Sequence, residues 1–296
     1  MRPPESTDIG VEEFRQTPAT LRAEILAANL GADAARQTAR SVSTARAVFL
    51  ANMARAIRTS VAAMLGHAQL LEMGLAAQGD VVERLRGSGT RLMTLLDDVL
   101  ALSKLESGRT FVAQEHAVTA DSVAAALLLT LGQAEARGVR VVDAGGDARG
   151  VAYVGDERRV REILVTLLET AAQLSPVGGS VAVHCATTDQ PSARAHVVGA
   201  GPWTSIRVEG SGGGLAAIVR AGTFEPFRGF DVSVAGAKHD LGLGLAISQS
   251  LARLMGGDLT IENERGDESA LTLWLPAAAD GEGAPERAAR ASTLGV

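Results

Sequence analysis

Cysteine is nearly absent from this sequence: Cys185 is the only one in 296 residues. That excludes an internal disulfide framework and suits a reducing compartment. Aromatic residues make up only 3%, so aliphatic side chains and alanine must fill the core. No long hydrophobic run exists. The apolar stretch from Val123 to Leu129 falls far short of the roughly 20 residues that a membrane-spanning helix needs. The N-terminus, MRPPESTDIG, lacks the basic-then-apolar order of a secretory signal. A cytoplasmic chain with no direct membrane insertion is the expectation. Positive charge is in deficit too, and a net charge of −6 argues against nucleic acid as a partner.

What is present is ordinary globular composition, 46% hydrophobic and 21% charged, at a length that allows about two domains. Residues 1–20 have no periodicity and read as a flexible lead-in. From about Leu21 to Met73 the pattern is helical. Leu50, Met53, Ile57, Met64 and Leu71 fall on the a and d positions of a heptad, with Ser60 and His67 at the remaining d places. After a turn bracketed by Gly74 and Gly79, a second helix is expected from about Val81 to Glu106. Its stripe is Leu85, Leu92, Leu95, Val99 and Leu102, with Ser88 as the one gap. Two such helices form an antiparallel hairpin. One hairpin leaves part of its stripes uncovered, so a homodimeric four-helix bundle is the natural solution.

After SGR at 107–109 the pattern changes to short strands and helices. A helix is expected at about 119–137, followed by strands VRVVD and VAYVG. A helix at about 156–173 and strands SVAVHC and WTSIRVE come next. The Gly-rich EGSGGGL opens an irregular region, and a helix beginning GLGLAISQSLARLM leads to strands DLTIEN and ALTLWLP. This reads as an α+β sandwich, one mixed sheet with helices on one face. The tail 277–296 reads as disordered.

These stretches resemble a two-component sensor histidine kinase. FLANMARAIRTSVAAMLG is similar to the family's phospho-acceptor helix, and GDERRVREILVTLLETAAQLSPVGGSVAV to the N box of its ATP-binding domain. VEGSGGGL resembles the first glycine box, TFEPF the F box and LGLGLAI the second glycine box, with MGGDLTIEN closing the series. The resemblance implies a helical dimerisation domain at 21–108 and a GHKL-type ATP-binding domain at 109–276. It also shows what is replaced. Arg55 stands where the family carries its acceptor His, Ala56 where the acidic neighbour stands, and Ser60 replaces the Pro. Thr166 and Thr170 stand for the two N-box Asn residues, Gln173 for the Lys, and Gly210 for the adenine-binding Asp.

The chemistry suffers accordingly. Phosphoryl transfer needs a nucleophile, a metal and a site that aligns them. A guanidinium stays protonated and has no free lone pair, so Arg55 cannot replace an imidazole. A Thr hydroxyl is a poorer Mg²⁺ ligand than an Asn carbonyl. Glu169 lies about 100° around the helix from Thr170, so neither it nor Glu162 is expected to rescue the metal. Gly210 has no side chain to anchor adenine, a loss worth about 1.5–3 kcal/mol. Gly212, Gly214, Gly242, Leu243 and Gly244, with Thr170, would form a degenerate nucleotide site in which ATP binds weakly and is not required. No catalytic residue and no metal ligand is expected. Among the histidines, His67 is expected to point into the bundle, and His239 lies in the irregular region.

The resulting expectation is a dimeric pseudokinase that binds a response-regulator receiver domain or another histidine kinase through Arg55, Arg58 and Thr59. The rival is an active kinase or phosphotransferase with an unusual acceptor.

Overall fold

A computed structural model describes residues 50–51, 53–74, 78–144, 151–197, 199, 201–212, 241–265 and 268–278. By its contacts the chain forms two units, Met1–Ala47 and Val48–Val296, and every described residue lies in the second. The expected helical stretch before residue 50, the F box, Gly214 and His239 lie outside the described residues, as does the tail from 279.

Helix α1 (residues 53–72) and helix α2 (Gln78–Glu106) form the expected hairpin. Met53, Ile57, Ser60, Met64, His67 and Leu71 are all half-buried. They meet the α2 stripe, in which Leu95 and Leu102 are buried at 4% and 5% exposure. Leu50 breaks the pattern at 61% exposed.

The rest of the chain is α/β. Strand β1 (Glu115–Val118) precedes helix α3 (Thr119–Ala136) and strand β2 (Arg140–Asp143). Strand β3 (Ala152–Gly155) leads into helix α4 (Glu157–Leu174) and then strands β4 (Ser180–Thr188) and β5 (Trp203–Gly210). Helix α5 (Leu241–Leu254) and strands β6 (Asp258–Arg265) and β7 (Glu268–Pro276) complete it. The main sheet runs β2-β4-β5-β7-β6. Only β2 and β4 pair in parallel, so the sheet is mixed as expected.

The single-sheet expectation needs one correction. The strand VAYVG is not in the main sheet. It pairs antiparallel with EHAV, a strand not anticipated from sequence, in a separate two-stranded sheet. EHAV, two polar residues followed by two apolar ones, has no strand alternation to stand out, and only its partner 37 residues later gives it a ladder. Thr204 Oγ1 donates to Ala152 O at 2.7 Å and ties this small sheet to β5.

Helix α4 shows why the segment folds as it does. Asp156 caps its N-terminus by accepting from Arg159 N, and its other oxygen accepts from Ala113 N at 3.2 Å. Val160, Ile163, Leu164, Leu167, Leu168 and Ala171 recur at three and four and are fully buried. Pro176 follows the Ser175 cap and blocks continuation. In the core, aliphatic side chains of α4 and α5 meet Ile206, Val208, Leu271, Leu273 and Leu275 of the sheet. Leu102 belongs to the same cluster, with Met53, Val99 and Leu105 packed against it, so the open end of the hairpin is continuous with the sandwich core.

Candidate functional site

The residues matched to the nucleotide boxes gather around α4, the start of α5 and the end of β5. Gly244 lies in the first turn of α5. A Cβ placed there would come within 3.1 Å of Thr166 Cγ2. The absence of a side chain is what lets α5 lie directly on α4. Leu243 is 1% exposed and belongs to the core, so only its backbone is available to a ligand. Gly242 opens the same turn, where free N–H groups favour anions.

On α4, the Thr166 hydroxyl donates back to Glu162 O at 3.2 Å, and Thr170 is 2% exposed. The two threonines share a face, as their spacing requires, but neither extends a long oxygen donor beyond the helix. Glu162 is turned outward and pairs with Arg159 at 2.8 Å. Glu169 faces α3: burial pushes its carboxyl up, while a hydrogen bond from Gln133 and the charge of Arg137 pull it back. Neither carboxylate joins the threonines. Among the described residues no group of three or more His, Cys, Asp or Glu could hold a metal.

Gly210 ends β5, buried between Val181 of β4 and Ser269 of β7. A carboxylate is not available there. Ser211 then anchors the chain: its N–H donates to Ser180 O and its Oγ accepts from Ser180 N, both at 2.9 Å. Gly212 has φ +87, with Pro176 Cδ 3.1 Å from where its Cβ would be. A side chain would be strained there for both reasons.

On the hairpin, Arg55, Arg58 and Thr59 are exposed on one side of α1. Thr59 Oγ1 donates to Arg55 O at 2.9 Å. Two of the three polar interruptions of the heptad stripes, His67 and Ser88, come together: both line a cavity of about 580 Å³ with Asp80, Glu83, Arg84, Gly87 and Arg91. Ser88 is fully buried and its Oγ accepts from Arg91 at 2.9 Å. Sequence reasoning found each gap separately; only the antiparallel register shows that they form one polar layer. His116 lies on β1 and His184 on β4. His196 lies in the β4–β5 loop, where its backbone N–H donates to Asp258 Oδ2 at 2.7 Å.

Residues 45–108 match the His Kinase A (phospho-acceptor) domain, and residues 155–279 match the histidine kinase-, DNA gyrase B- and HSP90-like ATPase family. The chain belongs to the two-component sensor histidine kinase family. Among curated relatives, the sensor protein TorS of Escherichia coli is 33% identical over 246 residues, covering 82% of this chain and 25% of that protein. A sensor-like histidine kinase of Rhizobium meliloti, R01002, is 29% identical over 269 residues, covering 88% of this chain and 48% of that one. The chain thus spans between a quarter and half of these kinases. Among solved structures, the Acinetobacter baumannii histidine kinase AdeS superposes with a TM-score of 0.52 at 17% identity, covering 74% of this chain and 95% of that one, which supports the fold. Among the described residues, no helix is long and apolar enough to cross a membrane.

Proposed function

We propose that this histidine kinase family member acts by binding and does not transfer phosphate. The carrying observation is Arg55, exposed on α1 at the place that the family motif gives to the acceptor His. Three further features support the reading. Thr166 and Thr170 offer short hydroxyls, one of them donated back to its own helix. Gly210 offers adenine no carboxylate. Glu162 and Glu169 point away from the threonines toward Arg159 and Gln133. The residues present do not fit a Mg²⁺–ATP complex. The glycines leave room for weak nucleotide binding that is indifferent to Mg²⁺.

The hairpin acts as a homodimer in this reading. Its facing stripes are covered within one chain, yet Met93, Leu96 and Leu100 recur along α2 at 59%, 39% and 58% exposure, and Val61 and Leu65 do so on α1. A second hairpin would cover them. The bundle then presents Arg55, Arg58 and Thr59 to a response-regulator receiver domain, whose acidic pocket a fixed cation would hold without modifying it.

Incubation with radiolabelled ATP and Mg²⁺ is the test of the missing transfer: the protein stays unlabelled. Acid-labile label that disappears on His67→Gln would overturn the reading and establish His67 as acceptor. Titration of receiver domains from the same cell tests the binding role. Affinity for a true partner falls with added salt and falls further in Arg55→Glu; equal affinities for the native chain and the variant would remove Arg55 from the interface.

A further inference from the structure

Helix α3 has two apolar sides, and only one of them is used. Val123, Ala126 and Ala134 are buried toward the core, with Thr119, Ser122 and Thr130 beside them. The opposite side carries Leu128 at 81%, Leu129 at 62% and Leu131 at 41% exposure. A helix apolar on all sides is normally buried on all sides. Three neighbouring exposed leucines on a short helix form a patch of the kind that marks a contact surface.

The stripe through Leu128 has a definite pattern. Ala124 and Ala125 lie one turn before it, Leu131 and Gly132 one turn after. The small residues would let another backbone approach closely on either side of the central leucine. Asp121 lies seven residues before Leu128 and Glu135 seven residues after, both exposed on the same face. Helix α3 contains no basic residue, and Arg137, just beyond it, acts on the Glu169 carboxyl. The apolar stripe is therefore closed at each end by a negative charge, about 21 Å apart at 1.5 Å per residue.

That charge pattern selects among occupants. A second copy packed antiparallel across a twofold axis at Leu128 would set Asp121 opposite the partner's Glu135 at both ends, like charge on like. An anionic membrane would meet two carboxylates at its surface. A helix with an apolar stripe and a basic residue at each end satisfies both the leucines and the carboxylates.

We infer that the outer face of α3 is a docking surface for an amphipathic partner helix whose apolar stripe is bracketed by Lys or Arg about 14 residues apart. This surface is separate from Arg55 and from the nucleotide boxes, and it does not depend on whether the chain transfers phosphate.

The test uses two synthetic 18-residue Leu/Ala helical peptides, identical except that one carries Lys and the other Glu at two positions 14 apart. Each is titrated by fluorescence anisotropy against the full chain, against Leu128→Asn, and against the double variant Asp121→Lys/Glu135→Lys. The Lys peptide binds the native chain and loses at least tenfold in affinity to Leu128→Asn. The double variant reverses the preference, favouring the Glu peptide by about fivefold or more, as two exposed charge pairs of about 0.5 kcal/mol each imply. Unchanged melting temperatures confirm that the exposed substitutions leave the fold intact. Equal binding of both peptides, no binding of either, or an unchanged preference in the double variant overturns the inference. Two further results overturn it in favour of other occupants: Leu128-dependent self-association detected by sedimentation, and Leu128-dependent capture by phosphatidylcholine vesicles.

Discussion

Tyr153 offers a sharp check on the fold that carries the site, because it is the only tyrosine in the chain. It lies fully buried on β3, and its hydroxyl is 2.7 Å from Ser122 Oγ on α3. Burial pushes its pKa from 10.0 up to about 12; the Ser122 hydrogen bond opposes the rise, and the nearby charges of Glu157 and Asp156 add to it. Two consequences follow from Tyr153→Phe. Near neutral pH the substitution leaves the fully buried Ser122 hydroxyl without its partner, at about 1–3 kcal/mol. Adding Ser122→Ala removes the orphan and returns part of that loss. The second consequence appears in alkali. Below pH 10 both folded and unfolded chains keep the phenolic proton. Above it the unfolded chain loses the proton while the folded chain holds it, so native stability falls until about pH 12. A displacement from 10.0 to about 12 corresponds to roughly 3 kcal/mol at about 1.36 kcal/mol per tenfold change in proton affinity. Urea unfolding at a series of alkaline pH values measures it: between pH 10.0 and about 12 the native chain loses more stability than Tyr153→Phe by this total amount. A variant within a few tenths of a kcal/mol of the native chain at neutral pH, with a parallel alkaline slope, would refute the buried Tyr153–Ser122 contact.

Gly244→Ala separates packing from phosphate contact. The new methyl meets Thr166 Cγ2 at about 3.1 Å, so the variant is destabilised relative to the same change made in Thr166→Ser, and thermal melts of the four combinations read the difference. Glu169→Gln removes a carboxyl that burial holds above its ordinary range. The folded state retains that proton longer than the unfolded one, so the native chain loses stability as pH rises through the raised value. The variant lacks this loss, which melts at mildly acidic and neutral pH detect. The hairpin's two apolar faces respond differently. Leu95→Asp, at 4% exposure within one chain, disrupts the hairpin itself by burying an unpaired carboxylate and lowers helical circular dichroism. Leu96→Glu with Leu100→Glu, at 39% and 58% exposure, leaves the helix signal intact and halves the mass seen by light scattering.

The sequence by itself determined the elements and the replaced chemistry. The heptad stripes of α1 and α2, the three-and-four pattern of α4 and the alternation of β5 and β7 are local periodicities. Each states which side must leave water before any partner is known. Arg55, Thr166, Thr170 and Gly210 were likewise legible at fixed offsets within motifs, because the type of a side chain decides whether it can attack, chelate or accept. What pairs with what was decided by the tertiary structure. Strand β1 exists because β3 supplies its ladder, and β3 leaves the main sheet because its partner is β1. Glu169 turns to Gln133, Gly244 rests on Thr166, and His67 meets Ser88 across the hairpin. These contacts join residues 21 to 78 positions apart, and no local pattern encodes them. The exposed side of α3 shows the same limit in reverse. Its sequence reads as a helix to be buried all round, and only the packed fold, which covers one side and leaves Leu128 in water, shows that a face is still open.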